Sequence, residues 1–138
     1  MKKFNELTKY IPKLEGDNFG QWVTDEVNDG SPEHPIQMPY TLLDDVADDF
    51  MDSLIKFCRE HPEYEDKGYH DTLKENGIEW SQEDMESADV SNADAKLIIA
   101  LFTAAWRADR FCEGVLLAFF NSGVIRKWLL RLEELDVE

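Results

Sequence analysis

Residues 91–114 constrain the fold more than any other stretch of this chain. From Ser91 to Gly114 the sequence is apolar over most of the circumference of a helix. A helix that is hydrophobic nearly all round is normally buried at the centre of a domain. We therefore predict a central helix over Ser91–Gly114, started by the sequence Ser91-Asn92-Ala93-Asp94, which resembles a capping box.

Charged residues cluster at the end of this predicted helix, in the sequence Arg107-Ala108-Asp109-Arg110-Phe111-Cys112-Glu113-Gly114. At 100° per residue, Arg107 and Arg110 continue a polar stripe that begins at Lys96. Asp109 and Glu113 fall on the apolar side of the same projection. Because buried charges need partners, these two acids require either a structural or a functional explanation.

Both explanations stay open from the sequence. In the structural one, the arginines form the wet face, Arg110 pairs with Glu113, and Glu113 accepts amide hydrogens from the next helix. In the functional one, the cluster forms a pocket in which arginines hold an anion and a carboxylate acts as a general base. The candidate pocket residues are Trp106, Arg107, Asp109, Arg110 and Glu113.

The other helices follow from hydrophobic periodicity and breaker residues. An N-terminal helix runs from Phe4 to just before Pro12, and an amphipathic helix runs from Thr41, its N-cap, to about Glu60. The further predicted helices are Tyr69–Asn76, Ser81 to about Ala88, Val115–Asn121 and Val124–Leu135. The central helix should pack against the helices that follow Thr41 and Val124.

Extended structure is predicted only between residues 20 and 40. A strand over Gly20–Val27 is followed by the turn sequence 28–32 and by an extended segment over Pro35–Tyr40. The fold class is therefore mainly α, a compact single-domain bundle of about six helices with a small β-hairpin near residues 20–40. The single domain spans residues 1–138.

Four aspartates on the Thr41 helix have the spacing of a possible metal site. Asp45, Asp48, Asp49 and Asp52 stand at i, i+3, i+4 and i+7, as carboxylates that bind Mg²⁺ or Mn²⁺ do in some all-helical nucleotide hydrolases. Such a site needs a second helix with matching carboxylates, and the sequence offers only Glu83 and Glu86 at i,i+3. We interpret the aspartates as a solvated acidic face and predict no metal and no cofactor.

The net charge limits the partners of the chain. It is −16, with 8 Lys/Arg against 23 Asp/Glu in residues 1–90 and 6 against 7 in residues 91–138. Such a surface repels nucleic-acid phosphates and anionic lipid heads, so neither nucleic acid nor membrane is an expected partner. A basic protein partner and self-association stay open.

The remaining residue patterns indicate no catalytic site. Cys58 and Cys112 lie in apolar helical patterns without metal-ligand spacing and are expected to be reduced, buried thiols of a cytoplasmic protein. The N-terminus has no signal-peptide core, and no segment is long enough to cross a bilayer. No phosphate-binding glycine loop or nucleophile elbow is present. The three histidines are scattered, at His34, His61 and His70. The tryptophans are dispersed along the chain, as core residues usually are, at Trp22, Trp80, Trp106 and Trp128. Trp22 and Trp80 are also suited to the wall of a pocket.

Several short motifs resemble those of a known family. They are Tyr-Ile-Pro-x-Leu-Glu at 10–15, a segment from Trp22 to Tyr40 that ends in Pro-Ile-Gln-Met-Pro-Tyr, Ala-Asp-Arg-Phe-Cys-Glu-Gly at 108–114, and Trp-Leu-x-Arg-Leu at 128–132. In their order they resemble a bacterial family of small uncharacterised acidic proteins, a domain of unknown function. The resemblance implies no activity and assigns no catalytic role.

Two functions are consistent with these observations. The first is a small, acidic, cytosolic protein-interaction domain without enzymatic activity, which engages a basic partner. The alternative is a small metal-dependent or nucleotide-processing hydrolase that uses the Asp45–Asp52 helix or the Arg107–Glu113 cluster. Because every catalytic signature considered is missing from the sequence, the first is preferred.

Overall fold

The computed structural model describes residues 4–16, 18–23, 30–33, 35, 40–64 and 68–136. Within these ranges the chain forms seven α-helices and one two-stranded antiparallel sheet, which confirms the mainly helical fold with a small hairpin. The helices are α1 (Asn5–Thr8), α2 (Asp45–Glu60), α3 (Tyr69–Glu75), α4 (Gln82–Ser87), α5 (Ala95–Ala108), α6 (Val115–Asn121) and α7 (Val124–Leu135); the strands are β1 (Gly20–Val23) and β2 (Tyr40–Leu43); short 3-10 helices cover Ile11–Leu14 and Pro62–Tyr64.

Helix α5 lies at the centre of the hydrophobic core, and its residues 97–102 are all buried. The ring of Phe102 contacts two other helices, with its centroid 5.5 Å from that of Phe50 in α2 and 5.4 Å from that of Trp128 in α7. Each such buried side chain stabilises the fold by roughly 1.5–3 kcal/mol. The prediction that the central helix packs against the helices after Thr41 and Val124 is therefore confirmed.

The predicted beginning of the central helix at Ser91 is wrong, because a different side chain caps it. Asp94 Oδ1 accepts a hydrogen bond from the backbone nitrogen of Leu97 at 2.9 Å. The hydroxyl of Ser91 instead donates to the carboxylate of Asp89 at 2.7 Å and stays in a turn. Aspartate caps a helix as well as serine does, and Asp94 stands closer to the buried apolar run.

The predicted N-cap at Thr41 is also wrong, because Thr41 belongs to β2. The hairpin pairs Gly20 with Leu43 and Trp22 with Thr41, so the extended backbone continues three residues further than predicted. Asp44 caps α2 through a 2.9 Å hydrogen bond from the backbone nitrogen of Ala47 to its carboxylate. Residues 24–27 of the predicted strand, 28–29 of the predicted turn and 36–39 of the extended segment lie outside the described residues.

Helix α7 is tied to distant segments by its cations. Arg126 Nε donates to the carbonyl oxygen of Ile11 at 3.3 Å, Lys127 Nζ to that of Ala88 at 2.9 Å, and Arg131 Nε to that of Ala93 at 2.8 Å. Just beyond the helix, the carboxylate of Asp136 accepts a 2.9 Å bond from the backbone nitrogen of Phe4. The cations of this helix therefore hold the 3-10 helix Ile11–Leu14, the end of α4 and the segment before α5 through their backbone carbonyls.

Candidate functional site

The predicted charge cluster lies in the turn that joins α5 to α6. Helix α5 ends at Ala108 instead of continuing to Gly114, which corrects the sequence prediction. Gly114 has a φ of +92°, a left-handed conformation that favours glycine, and it immediately precedes α6. Because residues 109–114 do not continue the helix, the 100° projection does not apply to them. The expectation that Glu113 lies on the apolar side is therefore wrong, since its side chain is exposed.

Asp109 stabilises the start of α6. Its Oδ1 accepts hydrogen bonds from the backbone nitrogens of Gly114 and Leu116, both at 3.1 Å. These N–H groups belong to the first turn of a helix, where no intrahelical acceptor exists, and the helix dipole there favours a negative charge. The structural role that we predicted for Glu113 thus belongs to Asp109.

Glu113 instead joins the turn to the hairpin. Its Oε2 accepts bonds from the hydroxyl of Thr41 at 2.6 Å and from the backbone nitrogen of Thr41 at 2.8 Å. The hydroxyl bond, followed by the backbone bond, lowers the pKa of Glu113 below its ordinary value, because both donors favour the ionised carboxylate. The predicted Arg110–Glu113 ion pair is not among the ion pairs of the described residues.

Arg107 and Arg110 both lie over the indole of Trp106. The guanidinium carbon of Arg107 is 5.1 Å from the ring centroid and that of Arg110 is 5.7 Å from it. Both distances are within the range of a cation–π interaction. The sequence-predicted pocket residues therefore divide into two groups, since the arginines gather at Trp106 while the two acids bind backbone N–H groups.

Aromatic side chains flank this end of α5. Trp80 Nε1 donates to the carbonyl oxygen of Ala104 at 3.1 Å, which places the indole against the last turns of the helix. The ring of Phe111 stands edge-on to Trp80 at 5.8 Å and is 80% exposed. Beyond Trp80 lies an open depression of about 580 Å³, lined by His70, Asp71, Lys74, Gly77, Ile78, Glu79 and Trp80. Trp80 therefore lines this depression.

The other suggested wall residue, Trp22, packs on the same turn. A Cβ atom at Gly114 would collide with the Trp22 indole, so the two residues are in direct contact. Trp22 as a whole is nevertheless 51% exposed. On the same face of the hairpin, Gly20 lies against Leu117 of α6. The hairpin is therefore seated on the turn and on the start of α6.

The four aspartates of the predicted acidic face are all exposed on α2. The pKa of Asp48 is raised, first by partial desolvation and then by the charges of Asp52, Asp45, Asp49 and Asp44. Among the described residues, no group of three or more His, Cys, Asp or Glu side chains is arranged to hold a metal ion. Glu83 and Glu86, the possible complement, lie on α4, where Glu86 accepts a hydrogen bond from Gln82 at 3.1 Å.

The cysteines lie differently from the sequence expectation. Cys112 is exposed because it falls in the turn after α5 and not on a helix, and Cys58 is half-buried, so the expectation of two buried thiols is wrong. The two cysteines are not joined by a disulfide. His61 and His70 make ring contacts with Phe57 and Trp80, at 4.4 and 4.5 Å, and His34 lies outside the described residues.

Sequence reasoning missed Phe111 and Thr41. The periodicity places Phe111 on the buried central helix, although Arg110 before it and Glu113 two residues after it signal a polar turn in which an aromatic ring is exposed. The link from Thr41 to Glu113 spans 72 residues and carries no local signal.

A comparison with protein families covers the chain. The model of a family of unknown function, DUF6508, matches residues 1–138. The chain belongs to this family. DUF6508 membership confirms the resemblance to a domain of unknown function drawn from the short motifs, and it brings no activity to any residue described above. No curated protein and no solved structure matches the chain. Among the described helices of this DUF6508 chain, none is both long and apolar enough to span a bilayer.

Proposed function

We propose that this chain is a cytosolic, non-enzymatic interaction domain that engages a basic protein partner through one face of α2. We call Asp45, Asp48, Asp49 and Asp52 the acidic face. The observation that carries the proposal is that four exposed carboxylates share one helix without a cation to neutralise them. Within the described ranges, none of the four forms an ion pair.

The energetics of this face favour a partner. Like charges at i,i+3 and i,i+4 repel one another, and the pKa of Asp48 is raised by partial desolvation and, after it, by the charges of the neighbouring aspartates. A basic partner that neutralises these carboxylates removes the repulsion among them, and its removal contributes to the free energy of binding. The net charge of −16 adds long-range attraction that steers a positively charged protein toward the chain.

The cytosolic placement is supported by the cysteines. Cys58 and Cys112 are not joined to each other, and the thiol of Cys112 is exposed. Exposed thiols persist most readily in a reducing compartment.

The test measures the binding of fluorescently labelled deca-lysine, a basic probe, by fluorescence anisotropy at NaCl concentrations from 50 to 500 mM. One variant changes the acidic face to asparagine at all four positions. A matched control changes four exposed acids elsewhere to glutamine, namely Glu6, Glu75, Glu83 and Glu133, and so removes the same charge.

We expect the acidic-face variant to weaken binding by about tenfold, which corresponds to about 1.4 kcal/mol, while the control stays within about twofold of the natural chain. Binding should weaken as salt rises, because exposed charges are screened. Equal losses in both variants would show attraction by net charge alone and would overturn the assignment to α2. Salt-independent binding would overturn the electrostatic basis. Size-exclusion chromatography of the natural chain separates these results from self-association.

A further inference from the structure

Arg107 lies in the last turn of α5, and Arg110 lies two residues beyond its end. Arg107 and Arg110 share the indole of Trp106, at 5.1 and 5.7 Å from its centroid. Neither forms an ion pair within the described ranges, although the chain carries 30 acidic residues. The nearest acids in sequence, Asp109 and Glu113, accept hydrogen bonds from backbone N–H groups instead.

Arg107 in particular lacks a partner that its burial calls for. Its Nε atom is buried and has no hydrogen-bond acceptor among the described residues. An unsatisfied buried donor costs about 1–3 kcal/mol, and more when the group is charged. By contrast, Arg126 and Arg131 of α7 each donate to a backbone carbonyl oxygen. Backbone carbonyls elsewhere in the fold therefore accept hydrogen bonds from arginine side chains, whereas no described group accepts one from Arg107 Nε.

An aromatic surface adjoins the arginines. Ala104, which receives the Trp80 indole N–H, precedes Arg107 by three residues, and positions three apart are neighbours on a helix. Arg107 therefore lies on the helix between the contacts of Trp106 and Trp80. Phe111 covers the edge of Trp80 and leaves 80% of its own surface in solvent. Phe111 directly follows Arg110 in the turn, so an exposed phenylalanine and two guanidinium groups without ion pairs offer both halves of a mixed aromatic and anionic contact.

We propose that Arg107, Arg110 and Phe111 bind a small aromatic anion, with its carboxylate or phosphate on the guanidinium groups and its ring on Phe111. A guanidinium stacked on an indole is weakly hydrated and keeps a planar fork of donors that matches either oxyanion. The ring of the ligand packs on Phe111 in the offset or edge-on geometry that aromatic pairs prefer. The site uses no residue of the acidic face and does not depend on the function proposed above.

The net charge selects a small ligand. A chain of −16 repels an extended polyanion over its whole surface, whereas a compact anion with one or two charges meets mainly the local field of the two arginines. Screening limits the reach of the more distant carboxylates to about 8 Å at physiological salt. A nucleic acid is therefore a poor occupant, and a single aromatic acid or aryl phosphate is a good one.

The experiment titrates phenyl phosphate, benzoate and inorganic phosphate into the ¹⁵N-labelled chain and follows the indole N–H resonance of Trp106 and the Nε–H resonances of the arginines. The first variant is Arg107→Gln with Arg110→Gln. Its matched control is Lys56→Gln with Lys96→Gln, which removes the same charge from exposed positions on α2 and α5. Arg110→Gln alone is the second variant, because Arg110 is exposed and its loss leaves the core intact.

We expect saturable shifts at Trp106 with phenyl phosphate or benzoate, and about tenfold weaker binding of inorganic phosphate. The ratio of the affinities for phenyl phosphate and benzoate identifies the preferred oxyanion. The arginine variants should weaken binding by about tenfold or more, and the lysine control by less than about twofold. Phe111→Ala should reduce affinity for the aromatic anions to that for inorganic phosphate. The proposal is overturned if no probe saturates, if the lysine control loses as much as the arginine variants, or if Phe111→Ala leaves all affinities unchanged.

Discussion

The indole of Trp22 lies directly against Gly114, so that a single added carbon at position 114 would occupy the space of the ring. The contact joins the hairpin to the turn between α5 and α6. Gly114 also holds a φ of +92°, a conformation in which side chains are strained. Two separate physical effects therefore require glycine at this position.

Gly114→Ala should lower the free energy of unfolding by more than about 2 kcal/mol, since strain of about 1–2 kcal/mol adds to the steric conflict with Trp22. Gly123 provides the matched control. Its φ is +87°, but nothing lies within 4 Å of an added Cβ, so Gly123→Ala should show the strain alone. Urea denaturation of both variants measures the difference. Equal losses would mean that Trp22 yields without cost.

Glu113→Gln should destabilise the chain by about 1 kcal/mol at pH 7, a value reduced from that of a buried charged bond because Glu113 is exposed. Folding lowers the pKa of Glu113 below its ordinary value of 4.5, so the carboxylate contributes stability above that pH. The contribution is lost as the pH falls through the folded pKa. The difference in urea midpoint between natural chain and variant should therefore be largest at pH 7 and shrink as the pH is lowered to 3. Glu133→Gln is the control for charge alone, and a gap as large at pH 3 as at pH 7 would contradict the mechanism.

Asp109→Ala should cost about 1–2 kcal/mol, the usual loss when a helix cap is removed, because the N–H groups of Gly114 and Leu116 lose their acceptor. Asp109→Asn retains an acceptor oxygen and should cost clearly less. Thermal unfolding of the two variants gives the comparison. If asparagine is as damaging as alanine, the charge and not the cap explains the loss.

Asp48→Asn should stabilise the chain slightly at pH 7, by less than about 1 kcal/mol because the group is largely exposed. The raised pKa of Asp48 means that its ionised form opposes folding at neutral pH. Below an ordinary pKa of 3.8 the carboxyl is protonated in both states, so the gain should vanish there. Denaturation at low and high salt checks the cause. A gain that does not shrink in 0.5 M NaCl would exclude repulsion from the neighbouring aspartates.

Local sequence signals predicted the helices well because those signals act over one turn. Ser81 caps α4 as expected, with its Oγ accepting from the backbone nitrogen of Asp84 at 3.2 Å. Where two capping residues compete, as Ser91 and Asp94 do, the order of the sequence does not decide between them. The choice depends on which position lies at the edge of the buried run, and that is a property of the packed core.

The candidate site was predictable in composition but not in geometry. Arg107 directly follows Trp106 and Arg110 lies four residues after it, so their association follows from their nearness in the sequence. The partners of Asp109 and Glu113 depend on where α5 ends and on a hairpin strand 72 residues away. Residues that distant meet only through the tertiary fold, and no periodicity encodes their contact.

The bonds of α7 to Ile11 and of Asp136 to Phe4 have a consequence for folding during synthesis. During synthesis, residues 4–11 leave the ribosome before α7 and find these partners only after α7 has emerged. Until then, the apolar face of α5 lacks its contact with Trp128, and the helices that emerge earlier lack their contacts with α7. Contacts between such distant residues slow folding, because the chain entropy of closing the loop is lost before the contacts form. A ribosome-bound chain arrested before α7 should therefore expose apolar core residues and recruit chaperones, whereas a chain arrested after α7 has emerged should bury them.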